Sequence, residues 1–422
     1  MVSNHNIVSA YNLYPSEKIK LYEEEILLCG MGSIIEDELF SSSVIKDLHV
    51  LDFDYVPSEL PHRTEQLKRL AQMFKPVFVN TAQNACIRGP VGTGKTAMAK
   101  YFCQSLVQIA RKQGKILEYV HINCRKRSTD AMVLLGVLNH FDARFPDRGF
   151  SVQEMMEVLR THLVRKESHL LLVLDEVDAL LNKGGSNLIY GLTRFNDETT
   201  KTGPTISVIM ISQKDVLADL EAAALSTFKR STTITLEKYT RDELYDIIRQ
   251  RVELAFHANT VNAESIDLIA DIASDYGDAR FCIELLWKAG MYADEKHVKQ
   301  VTPEHVRAAK AETYSVVTET KLRNLGKHQL LTLLSIAKRL QKECTAYANT
   351  GEVEKTYAIT CEEYAEDARA HTMFWNYLKE IELAGFIKVK PSGKGQVGNS
   401  QLISLPDIPA EVLRSKLEEL LA

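Results

Sequence analysis

Residues 85–97 read ACIRGPVGTGKTA, and within them Gly89, Gly94, Lys95 and Thr96 fill the pattern G-x-x-x-x-G-K-[ST]. A short apolar run precedes the glycines and a helix-forming segment follows, the strand, loop, helix order of a phosphate-binding loop. Glycines let the backbone fold back so that consecutive N–H groups point inward at anionic oxygens. The following helix offers the positive end of its dipole to the same anion. Gly89, Pro90, Val91, Gly92, Thr93, Gly94, Lys95, Thr96 and Ala97 are therefore candidate phosphate ligands for ATP or ADP. Lys95 is expected to reach the β- and γ-phosphates, and the Thr96 hydroxyl to hold Mg²⁺.

Some eighty residues on, HLLLVLDEVD (169–178) is a buried strand with acids at its C-terminal tip, where a carboxylate has no packing role. After a phosphate loop, this is the place of a Walker B motif. Asp175 is expected to bind Mg²⁺, mainly through water, and Glu176 to orient or deprotonate the attacking water, so Glu176, Asp175 and Lys95 form the candidate catalytic set. Between and beyond the two motifs the chain alternates. Strands are expected at 118–124, 169–178, 205–212 and 232–236. Helices are expected at Ala97 to Ala110, Thr129 to Asn139, Val152 to Arg165, Asn187 to Phe195 and Asp219 to Phe228. Such alternation implies a parallel sheet with helices on both faces and a ligand at the carboxyl ends of its strands.

A chain of 422 residues with 45% hydrophobic and 25% charged content is long enough for several domains with cores of their own. A net charge of -5 excludes a uniformly basic nucleic-acid coat and leaves local patches open. No apolar run approaches the roughly 20 residues of a membrane span, and MVSNHNIVSAYN at the start lacks the features of a signal peptide, so a cytoplasmic, nucleoid-associated protein is expected. The seven cysteines show no metal or disulfide spacing and read as reduced core residues.

After Glu237 the strand signals stop. Thr240 and Glu243 form a capping box opening a helix to about Phe256, and further helices are expected at Ala263 to Ser274, Asp278 to Asp294 and from Thr302-Pro303 onward. The last hundred residues give helices at Lys327 to Lys342, Thr360 to Asp367 and His371 to Leu383. Two strands follow, FIKVK and SQLISL, joined by a Gly-rich turn, the outline of a winged helix. The expected organisation is an N-terminal extension (1–50), a nucleotide-binding α/β domain (51–237), an all-helical lid (238–312) and a winged-helix DNA-binding domain (313–422).

With these motifs in this order, and with YVPSELPHR before the loop and GDARFCIELL in the lid, the chain resembles the AAA+ initiator proteins of archaeal replication origins. These are related to subunit one of the origin recognition complex and to cell division control protein six. The resemblance covers residues 51 to about 405. It implies an AAA+ P-loop fold, an ATP-binding initiator of DNA replication that binds origin duplex DNA, a role in loading the replicative helicase, and other initiator subunits as partners. Slow hydrolysis and ATP acting as a conformational switch are also implied. It places Tyr55, Val56, Pro57 and Arg63 against the adenine, Arg280 as the sensor 2 arginine on the phosphates, and Tyr239 and Arg251 near the nucleotide.

Two positions depart from the family. Gln213 replaces the sensor 1 asparagine, keeping an amide on a longer arm, and Ala223 stands where an arginine finger toward a neighbouring subunit is usual. Such a finger contributes about 10³ to 10⁵ in rate, so its absence argues against fast hydrolysis through a neighbour. Lys229 and Arg230 lie near that position. For DNA, winged-helix geometry points to Arg369, His371, Thr372, Asn376 and Lys379 on the third helix and to Lys388, Lys390 and Lys394 on the wing. The family's helical insertion, here about Phe141 to Met156, adds Arg144 and Arg148. Residues 321–422 hold 14 Lys and Arg against 13 Asp and Glu, so the winged helix is not basic as a whole. A signalling or transcription-regulating P-loop ATPase with a protein-binding winged helix is the alternative that this balance keeps open.

Overall fold

The computed structural model describes residues 43–195, 205–217, 220, 233–313, 322–343, 345–391 and 401–422. A helix at Thr64–Phe74 (α1) leads into β1 (Ala85–Arg88) and α2 (Lys95–Lys112). There follow β2 (Leu117–Asn123), α3 (Asp130–Phe141), α4 (Val152–Lys166), β3 (His169–Asp175), α5 (Asp178–Leu181), α6 (Ser186–Thr193), β4 (Ile206–Ser212) and β5 (Thr233–Thr235). The five strands are all parallel, in the order β2-β3-β4-β1-β5. Every residue of β3 and β4 is buried, as a sheet covered on both faces requires. Leu170, Leu172 and Leu174 pack with α3 and α4 on one face, while Leu171 and Val173 pack with α1 and α2 on the other, following the two-residue period of a strand. Because β1 lies between β4 and β5, its carboxyl end opens into the crevice where the strand order reverses. The helix expected at Asp219 to Phe228, with Ala223, and the nearby Lys229 and Arg230 lie outside the described residues.

The helical lid comprises α7 (Arg241–Ala255), α8 (Ala263–Ser274), α9 (Ala279–Glu295) and α10 (Pro303–Thr313). The Thr240/Glu243 capping box is formed as expected, and Asp278 caps α9 by accepting from the N–H groups of Arg280 and Phe281. Val44 and Val50, read from sequence with the N-terminal extension, and Leu51, read with the α/β domain, pack into the lid core.

The winged helix contains α11 (Lys327–Glu343), β6 (Ala348–Asn349), α12 (Thr350–Glu363), α13 (His371–Leu383), β7 (Lys388–Pro391), β8 (Gln401–Ser404) and α14 (Ala410–Leu421). It differs from the sequence expectation in three ways. Its second helix begins ten residues earlier than Thr360, because the Asn349 side chain caps it by accepting from Gly351 N–H. A short strand, β6, pairs with β8 to widen the hairpin to three strands. A last helix, α14, buries Leu413 and Leu417 in the same core. The segment read as a helical insertion is also different: α3 ends at Phe141, and residues 142–151 form a helix-free connection to α4. No helix among the described residues is long and apolar enough to cross a membrane.

The sheet carries one buried titratable group with a stability consequence. His169, 5% exposed, lies between the hydroxyls of Thr205 and Ser207, with Nε2 2.9 Å from Ser207 Oγ. Burial pulls its imidazole down from the ordinary 6.5 to about 4. The unfolded chain then takes up a proton that the folded chain refuses, so this share of stability is complete above about pH 6.5 and is lost as the pH falls toward 4. His169→Gln should therefore lose about 2–3 kcal/mol less than the wild type between about pH 7 and pH 4.5 in urea unfolding.

Candidate nucleotide site and nucleic-acid surface

The phosphate loop turns over the end of β1 with Gly92 at φ 72° and Gly94 at φ 80°, backbone that a side chain rarely adopts. The glycines also admit a neighbour. A Cβ on Gly92 would fall 1.7 Å from Asp278 Oδ1, and one on Gly94 would fall 2.8 Å from the Tyr239 hydroxyl. Through that gap the Ala279 N–H, at the start of α9, donates to the Gly92 carbonyl at 3.0 Å. Lys95 Nζ donates to the carbonyls of Gly89 (2.7 Å) and Pro90 (2.6 Å), and its burial lowers its pKa against the opposing pull of Asp175. Arg63 braces the loop from the entry side. Its Nη2 donates to Thr93 O at 2.9 Å, and its guanidinium stands 4.0 Å from the Tyr239 ring centroid.

The two acids at the end of β3 occupy different environments. Thr96 Oγ1 donates to Asp175 Oδ2 at 2.7 Å, His121 Nε2 is 3.2 Å from the same oxygen, and Glu176 N–H donates to Oδ1 at 2.9 Å. Burial by itself raises the Asp175 pKa, but the bonds from His121 and Thr96 outweigh it and hold the carboxyl below its ordinary range. Hydroxyl and carboxylate oxygens so close together are the hard donors that Mg²⁺ takes, so the residues present fit that cation. Glu176 is in the left-handed region (φ 52°), with Asn123 Nδ2 donating to its Oε2 at 3.2 Å and Arg125 Nε 3.4 Å from the same oxygen.

Loop, acids and lid enclose a cavity with about 1130 Å³ of empty space, part of it open to solvent. Of the residues expected at the nucleotide, Tyr55, Pro57, Arg63, Val91, Gly92, Gly94, Lys95, Thr96, Ala97, Asp175, Glu176, Gln213, Tyr239, Arg251 and Arg280 line it; Val56, Gly89, Pro90 and Thr93 do not. Arg251 is buried. It donates to Val50 O at 2.9 Å and stands 4.7 Å from the Tyr55 ring centroid, so it joins the entry segment to the lid. Arg280 is exposed at the mouth, 5.4 Å from the Phe53 ring centroid. Phe53, Asp178 and Ile283 also line the cavity, and Asn123, His121 and Arg125 reach the acids, none of which was singled out from sequence. The last three belong to β2 or follow it, and only the pairing of β2 with β3 brings them to Asp175 and Glu176.

The candidate DNA contacts are not gathered in one place. Arg144 and Arg148 are exposed on the 142–151 connection. On α13, Thr372, Asn376 and Lys379 are exposed while Phe374, Leu378 and Ile381 are buried, as the helical period requires. Arg369 Nε donates to His328 Nε2 at 3.0 Å, and His371 Nδ1 lies 2.8 Å from Glu354, contacts made by exposed side chains at the start of α13. Of the wing lysines, Lys388 pairs with Asp275 and Lys390 with Asp271 (2.6 Å), both on the lid side. Lys394 lies outside the described residues.

Residues 79–218 match the AAA domain family, 245–311 the Cdc6 AAA+ ATPase-type lid domain and 320–415 the CDC6 C-terminal winged helix domain. The ORC1-type DNA replication protein 2 of Sulfurisphaera tokodaii is 33% identical over 392 residues, covering 90% of this chain and 93% of that protein. The ORC1-type DNA replication protein of Thermococcus kodakarensis is 31% identical over 386 residues, with 90% and 92% covered. Among solved structures, Cdc6p from Pyrobaculum aerophilum superposes with a TM-score of 0.76 at 26% identity, over 90% of this chain and 99% of that one. The Aeropyrum pernix ORC1 protein in complex with DNA gives 0.60 at 30% identity, over 90% and 98%.

The approach of α9 to Gly92 is open to a direct test. Gly92→Ala puts a methyl group where the Asp278 carboxylate stands. Binding of a fluorescent ATP analogue should weaken at least about tenfold, or about 1.4 kcal/mol, with an unchanged circular dichroism spectrum.

Proposed function

Because the chain belongs to the Cdc6 and ORC1-type family of archaeal replication initiators, we propose that it is an ATP-binding initiator that engages origin duplex DNA and uses the nucleotide as a conformational switch. One observation carries the switch: the Ala279 N–H to Gly92 carbonyl bond, which joins the lid to the phosphate loop at the mouth of the cavity. A triphosphate in that cavity touches both bodies, so its presence and its γ-phosphate bias the angle between them.

In this reading the loop from Gly89 to Ala97 supplies backbone N–H groups to the phosphates, and Lys95 leaves the Gly89 and Pro90 carbonyls for the β- and γ-phosphates. Thr96 and Asp175 hold Mg²⁺, which supplies neutralisation of phosphate charge when bound. Glu176, released from Asn123 and Arg125, orients the attacking water. Gln213 and Arg280 are assigned to the γ-phosphate side and Tyr55, Pro57, Tyr239 and Arg251 to the base side, with Arg63 bracing the loop. Hydrolysis is slow, since Gln213 has a longer arm than asparagine and Ala223 offers no finger to a neighbour. It resets the switch.

Duplex contact is assigned to Arg144 and Arg148 from the α/β body and to Thr372, Asn376, Lys379, Lys388, Lys390 and Lys394 from the winged helix, with Arg369 and His371 orienting α13. The complex of the Aeropyrum pernix ORC1 protein with DNA supports DNA as a partner of this chain. Other initiator subunits and the replicative helicase are the proposed protein partners.

A footprint on the parent genome, with and without ATP, tests the whole reading. Discrete protected duplex sites that change with nucleotide in the wild type, but not in Lys95→Ala, are expected. Diffuse protection that ignores both ATP and this substitution would overturn it.

A further inference from the structure

The contact between the wing and the lid is built from opposite charges on two surfaces. Lys388 and Lys390 are two apart on β7 and so project to the same side of the strand, toward the lid. There they meet Asp275, which follows α8, and Asp271 within it. Lys390 Nζ also lies 3.6 Å above the Tyr347 ring. Val389, between the lysines, packs into the winged-helix core instead.

We propose that this contact is an autoinhibitory latch: the lid carboxylates occupy the two wing lysines, and duplex phosphates must displace them before the wing can engage DNA. The inference rests on the reading of the winged helix as a duplex binder. Its chemistry is a competition between two kinds of anion for the same ammonium groups. Both pairs are partly exposed, with Lys388 at 40% and Asp275 at 54%, and Lys390 at 36% and Asp271 at 19%. Exposed pairs of this kind are weak and are screened by salt, so a polyanion can break them. Nor does opening strand the more buried acid. Asp271 also accepts from Arg241 Nε at 2.9 Å and from the Tyr347 hydroxyl, so it keeps two donors when Lys390 leaves. Among the described residues, Asp275 has Lys388 alone as its side-chain partner. The latch is therefore reversible at both ends without an uncompensated buried charge.

The test measures binding of the full-length protein to a mixed-sequence duplex by fluorescence anisotropy at low salt. The variants are Asp275→Asn alone, Asp271→Asn with Asp275→Asn, Lys388→Ala with Lys390→Ala, and the combination of all four. Asp275→Asn should tighten binding about two- to fivefold and the acid pair somewhat more, while the lysine pair should weaken it. The four-fold variant should bind like the lysine pair, because the acids act only through those lysines. Asp275→Asn touches no buried network, so it stands as the decisive variant if Asp271→Asn disturbs folding. Equal tightening by the Asp→Asn changes in the Lys→Ala background would mean general charge removal and would overturn the latch. Unchanged affinity in Asp275→Asn, with weakening in the lysine pair, would overturn the latch and leave duplex binding standing. Unchanged affinity in the lysine pair would overturn the wing's role, and the latch with it.

Discussion

The hydrogen bond from Ala279 to the Gly92 carbonyl is where two separately cored bodies meet, and it exists because Gly92 has no side chain. The same glycine makes the phosphate loop turn. A residue chosen for one purpose thus serves the other: backbone at positive φ exposes N–H groups to an anion, and the missing Cβ lets the capped start of α9 come within bonding distance. Arg63 reinforces the join by bonding the loop at Thr93 while lying over Tyr239, the residue whose N–H bonds the Gly277 carbonyl before α9. The joint also carries the contact of His62 Nε2 with Asp246 (2.9 Å) and the bond from Gln250 Nε2 to the Glu59 carbonyl (3.1 Å), and the cavity lies inside it. In the proposed switch, what the cavity holds would set the geometry of this joint.

The joint between lid and winged helix has another character. Arg307 of α10 is fully buried and donates to the carbonyls of Leu405 (3.3 Å), Thr345 (2.9 Å) and Ala346 (3.0 Å), while pairing with Glu304 at 2.7 Å. Glu264 accepts from Ala346 N–H and Glu304 from Glu411 N–H. A buried guanidinium gives up its hydration, so it is retained only where its donors are satisfied in a fixed geometry. Breaking that arrangement would take this donor from the Leu405, Thr345 and Ala346 carbonyls. In the proposed switch, these bonds would carry the winged helix along with the lid when the angle at the sheet changes.

The parallel sheet and its loop were legible in the sequence because they rest on local signals: fully apolar runs for β3 and β4, glycines at the turn, acids at a strand end. The capping pair Thr240 and Glu243 was equally local. What escaped were properties of pairing. Asn123 and His121 act on the acids only because β2 lies beside β3, and strand order is not written in either strand. The early start of α12 was missed because Asn349 caps it from within a two-residue strand that pairs with a distant one. The wing lysines show the same limit. Their position on β7 was readable, but their partners are more than a hundred residues away on the lid.

Charge placement explains why such partners matter. A chain of net charge -5, with a winged helix near neutrality, has no broad positive field to draw a duplex in, so local lysines and arginines must provide the attraction. Two of those lysines stand against carboxylates, where they cancel each other's field at distances beyond about 10 Å at moderate salt. In that arrangement the wing contributes little to long-range encounter. On the proposed reading it would act only once another part of the surface, such as the exposed Arg144 and Arg148 or the polar face of α13, had already brought phosphates close. If the winged helix binds a duplex as proposed, engagement would proceed in steps, with contact by the α/β body or by α13 first and seating of the wing afterwards.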